Sequence, residues 1–397
     1  MAHDSRTTSE PGEAGRRLSR LERAVESQAI RSEELLWKVT LAAEAMEDAE
    51  RSWRTAAGAS LEGETAQGLA LALQLRRANV VPVREPLVLI CQAQRSGGTL
   101  LARLFDAHPD CHAHPHELHI GARRPHTWPD LPPHEEPEVW FEKLSEARLG
   151  DLFLKGKRRV PLKGITTEEG ETLLPFMLPP AFQRLLFLDE VRRRDRVGSE
   201  REVLDCYMTS LFNAWLDNQN LRGVEKRWVV AFSPRRAWGD GLDRFESIYP
   251  DGRLISILRD PLSWYTSAQA RAPNTEPGPL LDVWKRSARE MLEARRRFGA
   301  QVAAVRFDEL VLDTAGAMRR LADWLGIEFD ERLLTPTFNG YPVGPNSSFE
   351  TSQTGVVSAP VERYRELLTD AQQEHIRGEC DELHREALTL TEPQPAA

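Results

Sequence analysis

The segment Pro86–Asp110, PLVLICQAQRSGGTLLARLFDAHPD, constrains this chain more than any other. Leu87, Val88, Leu89, Ile90 and Cys91 form an unbroken apolar run, the pattern of a central parallel strand. Leu100, Leu101, Leu104 and Phe105 then repeat at helical spacing. Between the two lies Arg95–Thr99, a turn in which Gly97 and Gly98 are free to take positive φ. A strand–turn–helix of this kind converges backbone N–H groups on one point, which suits an anion. Arg95 adds a permanent charge, and Ser96 and Thr99 add hydroxyl donors. The alternative is an ordinary connection with two glycines. No GxxxxGK[ST] occurs, so this is not a Walker A loop.

A second segment repeats the chemistry. RLISILR at Arg253–Arg259 is an apolar strand ending in a cation, and DPLSWYTSAQAR follows it. Arg259 leaves the carboxyl end of its strand, where open α/β sheets bind ligands. Ser267 and Arg271 are four apart and share one helix face. Taken alone, the segment would serve equally well as a strand-ending Arg–Asp pair and a solvated helix.

Together the motifs resemble the sulfotransferases that use 3′-phosphoadenylyl sulfate (PAPS). In that family RSGTT or RSGGT follows the first strand and opens a helix ending near HPD; here Arg95–Thr99 runs on to His108-Pro109-Asp110. The family's 3′-phosphate site is a strand-ending Arg with a Ser eight residues on, which Arg259 and Ser267 match. A basic residue four further on is common, and Arg271 stands there. The segment FDELVLDTAGAMRRLADWLG is similar to the family's RYEDLxxxPxxxLxxLxxFLG, with Phe307 where many members carry Tyr. Pro345–Phe349 and Gly355 resemble the loop that closes over the nucleotide, or else form a polar surface loop. The resemblance implies a three-layer P-loop-type α/β fold with a parallel sheet flanked by helices. It implies PAPS as co-substrate, held by Arg95, Ser96, Gly97, Gly98, Thr99, Leu100, Arg259, Ser267, Arg271 and Ser347.

Sulfuryl transfer needs the donor positioned, its charge neutralised and the acceptor proton removed. Arg95 is the expected charge stabiliser. For the base, the resemblance implies a glutamate, or in some branches a histidine, after the first helix; CHAHPHELHIG stands there, and Glu117 fits best with His116 second. Partial burial would raise the Glu117 pKa modestly. The cluster could also be a metal site or a polar loop without a role. No HExxH exists, and in an extended chain His112, His114 and His116 would face away from Glu117 and His119; no metal is expected. The family's Lys-x-Pro lysine is missing: Phe232 or Ser233 stands there, and Arg235, Arg236 or Lys163 would have to replace it.

The 397 residues carry a net charge of −9, which disfavours a nucleic-acid partner. Basic clusters at Lys155–Arg159 and Arg192–Arg196 read as solvated faces or an acceptor site. Four cysteines without CxxC spacing suit a reducing compartment. No apolar leader or membrane-length run occurs, so the expected location is cytoplasmic, unlike the family's membrane-anchored Golgi members. Residues 1–16 read as a disordered tail and 17–80 as a helical extension. A heptad-like seam from Leu18 to Met46, interrupted at Gln28 and Ser32, suits either a homodimer or packing on its own domain. The catalytic domain is expected over 81–390, with a helical acceptor-binding insertion at 122–220. The expected acceptor is a small-molecule or glycan hydroxyl on a carbohydrate, lipid or natural product. The alternatives are a P-loop nucleotide kinase or hydrolase, which would need the absent loop lysine, and a non-catalytic nucleotide-binding scaffold.

Overall fold

The computed structural model describes residues 62–121, 127–145, 166, 167, 170, 171, 176, 178–344, 355–358 and 361–391. The heptad seam, the Lys155–Arg159 cluster, Lys163 and Ser347 lie outside the described residues.

Five parallel strands form one sheet: β1 (Leu87–Ile90), β2 (Cys111–Glu117), β3 (Trp228–Phe232), β4 (Arg253–Leu258) and β5 (Val302–Arg306), in the spatial order β2-β3-β1-β4-β5. β1 is central, with Leu89 opposite Ala231 on one side and Leu254 on the other. It is buried on both faces, as its apolar run requires.

The period of two sorts its side chains between layers. Leu87 and Leu89, with Val229, Ala231 and Leu254, share a core with Tyr207, Leu211 and Phe212 of α5 (Glu200–Ala214) and Phe187 and Val191 of α4 (Pro180–Arg192). Val88 and Ile90 face the other way, onto Leu101 and Leu104 of α2 (Gly98–Leu104) and Met318 and Leu321 of α10 (Thr314–Leu325). Helices α4 and α5, from the central segment, thus supply one wall of the core.

A third apolar cluster unites α7 (Pro261–Arg271), α8 (Pro277–Phe298) and α12 (Asp370–Leu388) beyond β4. Further described helices are α1 (Glu62–Ala78), α3 (Pro137–Ser145), α6 (Asp240–Ile248), α9 (Phe307–Leu312) and α11 (Tyr364–Leu367). α1 is held by Arg76 Nη2 donating to the Leu216 carbonyl at 2.8 Å and by the Arg77–Asp189 ion pair at 2.6 Å.

The strand order fixes where a ligand can go. From β1 the chain crosses through α2 to β2 on one side, whereas from β4 it proceeds to β5 on the other. The carboxyl ends of β1 and β4 therefore flank the topological switch point. The DAHPD stretch does structural work beside it. Asp106 Oδ2 accepts from Thr337 Oγ1 at 2.9 Å and Gly340 N at 2.8 Å, and His108 Nε2 bonds the Glu328 carbonyl at 2.8 Å.

Candidate active site

The turn after β1 is built for close approach. Arg95 has φ 70° and Gly97 φ 105°, so the chain passes twice through the left-handed region. A Cβ at Gly97 would come within 2.7 Å of the Phe307 ring. One at Gly98 would meet Gln92 Nε2 and the Phe232 ring at 2.3 Å each. The loop is thus clamped between two aromatic rings, and only glycine fits at both positions. α2 has only seven residues, so the loop N–H groups and nearby cations, rather than a long helix dipole, supply the field. Ser96 is buried, while Thr99 and Leu100 are half-buried on the first turn of α2.

Arg259 follows β4 directly and is 6% exposed. Its Nη1 donates to the Arg95 carbonyl at 2.7 Å and its Nε to Ser263 Oγ at 2.9 Å, and the guanidinium lies 4.2 Å from the Phe307 ring centroid. Asp260 caps α7 by accepting from Ser263 N at 2.9 Å. That start carries Ser267 to the site, where Arg95 Nε reaches its Oγ at 3.4 Å. Two indoles brace the backbone: Trp264 Nε1 donates to the Gln94 carbonyl and Trp284 Nε1 to that of Arg259, both at 2.9 Å.

Burial, then the neighbouring Arg271, lowers the Arg95 pKa, which Glu117 partly restores. Burial, Arg95 and Arg363 push Arg259 down to about 9, against the pull of Asp260. Guanidiniums that repel one another at close quarters make a crevice of positive potential, which an anion would relieve. Arg95, Ser267, Arg259 and Arg271, expected from sequence, are brought together. Arg363, just before α11, was not expected; it lies 104 residues beyond Arg259 with no spacing that could have flagged it.

Glu117 ends β2, opposite Phe232, after a register shift between Ala113 and Glu117. Its carboxylate is partly open and pairs with His119 Nε2 at 3.4 Å. Its charge favours the protonated form of Arg95. His116 is packed differently, with ring centroids 5.1 Å from Phe176 and 5.5 Å from Phe338. His114 Nδ1 bonds the His116 carbonyl at 2.6 Å, and His112 is buried against Phe212. Among the described residues no group of three or more His, Cys, Asp or Glu could hold a metal ion, and no described helix is long and apolar enough to cross a membrane.

Of the described candidates to replace the missing lysine, Arg236 is committed elsewhere. It is buried and donates to Ser233 Oγ at 2.9 Å, the Thr127 carbonyl at 2.6 Å and the Leu118 carbonyl at 3.2 Å. Arg235 is half-buried at φ 63°, with its guanidinium 5.5 Å from the Trp238 ring.

Residues 167–331 match the model of the sulfotransferase family. Among solved structures, the sulfotransferase domain from the Synechococcus PCC 7002 olefin synthase is 21% identical, covers 80% of this chain and 99% of its own, and has a TM-score of 0.49. Mouse sulfotransferase SULT7A1 complexed with PAP is 11% identical over 80% of this chain and 93% of its own, with a TM-score of 0.36. Retinol dehydratase in complex with retinol and PAP is 12% identical over 82% and 88%, with a TM-score of 0.34. No curated protein sequence matches the chain.

Proposed function

We propose that this chain, whose residues 167–331 match the sulfotransferase family model, moves a sulfuryl group from PAPS to an acceptor hydroxyl. The observation that carries the reading is the 2.7 Å bond from Arg259 to the Arg95 carbonyl, which joins two arginine-bearing segments at adjacent strand ends. A nucleotide phosphorylated at both 5′ and 3′ positions matches two such segments. The turn that carries Arg95 passes through left-handed φ at Arg95 and Gly97, a conformation that lets backbone N–H groups converge, and that supports the fit at the 5′ end.

PAPS supplies the sulfuryl group, activated on its 5′-phosphate. The loop Arg95–Leu100 holds that end, and Arg95 offsets the charge that develops there. Arg259, Ser267 and Arg271 hold the 3′-phosphate through a guanidinium fork, a hydroxyl and a second charge. Glu117 accepts the proton of the acceptor hydroxyl as its oxygen bonds to sulfur and the sulfur–phosphate oxygen bond breaks. His119 orients the Glu117 carboxylate.

Incubation with isotopically labelled PAPS and a panel of sugar, phenol and fatty-alcohol acceptors, read by mass spectrometry, tests the reaction. Calorimetry with adenosine 3′,5′-bisphosphate and with ATP tests the ligand class. Tighter binding of ATP than of the bisphosphate, or no transfer to any acceptor, would overturn the reading.

A further inference from the structure

Gln92 stands three residues before Arg95 and is 2% exposed. Neither Nε2 nor Oε1 of its carboxamide has a hydrogen-bond partner among the described residues. Buried amides are nearly always satisfied, and an orphan of this kind calls for a reason. Its position gives one. Nε2 lies 2.3 Å from where a Gly98 Cβ would stand, so the amide occupies the side-chain space of a phosphate-loop residue. The Phe232 ring lies against the same point and offers neither a donor for Oε1 nor a lone pair for Nε2. β3 ends in Phe232 and is followed by Ser233, neither of them cationic, and Arg236 is engaged in three hydrogen bonds.

We propose that Gln92 is a ligand-contacting residue at the floor of the phosphate loop. Its Nε2 donates to an oxygen of the nucleotide's 5′-phosphate end, giving a neutral donor where β3 offers no charge. Oε1 accepts from a water carried in with the ligand. The apo protein holds the amide desolvated and unbonded, so its stabilising contribution is released only when an anion is bound. The inference rests on the bisphosphonucleotide reading of the same crevice.

The test separates the two. Gln92→Met keeps shape and volume but removes both polar atoms. Binding of adenosine 3′,5′-bisphosphate should weaken about tenfold or more, as expected for a lost bond to a charged oxygen. Binding of adenosine 3′-monophosphate, which lacks the 5′ group, should not change. The ligand-free melting temperature should stay level or rise, because no bond is lost in the apo state. Gln92→Asn, which retains an amide one methylene short, should fold and lose the same 5′ increment. Unchanged bisphosphate affinity, equal loss for both nucleotides, or a lowered ligand-free melting temperature would each overturn the assignment. Wild-type protein that binds no bisphosphate would overturn the functional reading, and this inference with it.

Discussion

Arg259 and Arg95 are 164 residues apart in sequence, yet the guanidinium of one donates to the backbone carbonyl of the other at 2.7 Å. Arg95 holds a left-handed φ that side chains seldom adopt. The Arg259 bond helps to hold that turn, so the residue expected to grip the 3′-phosphate also shapes the 5′ loop.

This relationship separates Arg259 from Ser267. Arg259→Ala should weaken adenosine 3′,5′-bisphosphate by about tenfold to a hundredfold, since a charged hydrogen bond is worth roughly 1.5–3 kcal/mol. It should also weaken adenosine 5′-monophosphate, because the loop loses its tether. Ser267→Ala should affect only the bisphosphate. Calorimetry with both nucleotides checks this, and intact 5′-monophosphate binding in Arg259→Ala would sever the proposed link.

Glu117→Gln should lower kcat by about 10²–10⁴-fold with nucleotide affinity nearly intact. His116→Asn should cost far less, because His116 packs against Phe176 and Phe338 whereas Glu117 feels the charge of Arg95. Steady-state rates of the two variants decide; a collapse confined to His116→Asn would transfer the base to that residue.

Acid sensitivity should trace in part to His112. Burial, aided by the Lys226 charge, pulls its pKa down to about 3, and neither ring nitrogen has a partner among the described residues. The unfolded imidazole takes up a proton near pH 6.5, whereas the folded one does not until about pH 3. Stability therefore falls as pH drops below 6.5, by about 1.4 kcal/mol per pH unit, or about 2 kcal/mol by pH 5. His112→Phe should remove that slope. Parallel urea melts at pH 7 and pH 5 measure it, and identical slopes in both proteins would refute the attribution.

A chain beginning at Val80 should still bind the bisphosphate, because every candidate phosphate contact lies beyond Pro86. Its melting temperature should fall, since α1 takes with it the Arg76 bond to Leu216, the Arg77–Asp189 pair and the packing of Leu73. A folded truncation that cannot bind would move the functional boundary into α1.

Much of this was legible in the sequence because it is local. The apolar run of β1, the two loop glycines and the Arg259–Ser267–Arg271 spacing each lie within one strand–turn–helix. The helix after Phe307 was legible too: Trp324 packs at the edge of the same apolar cluster as Met318 and Leu321 and donates from Nε1 to the Ala300 carbonyl at 2.8 Å. What stayed hidden is through-space. No pattern ties Arg363 to Arg259, or aims Gln92 at Gly98. The Phe307 position was noticed for a missing hydroxyl, whereas its ring both supports Arg259 and fills the space beside Gly97. Around the histidines, the register shift in β2 defeats counting along the strand.

The indole braces have an effect on what the crevice can admit. Trp264 engages the Gln94 carbonyl, Trp284 that of Arg259, and Arg259 that of Arg95. Three backbone oxygens are thereby engaged, two of them by donors more than 160 residues away in the chain. An entering phosphate meets hydrogens and guanidinium edges without first having to displace or repel those acceptors. The crevice is polarised in one sense before any ligand arrives, and tryptophans, which carry no charge themselves, help to set its sign.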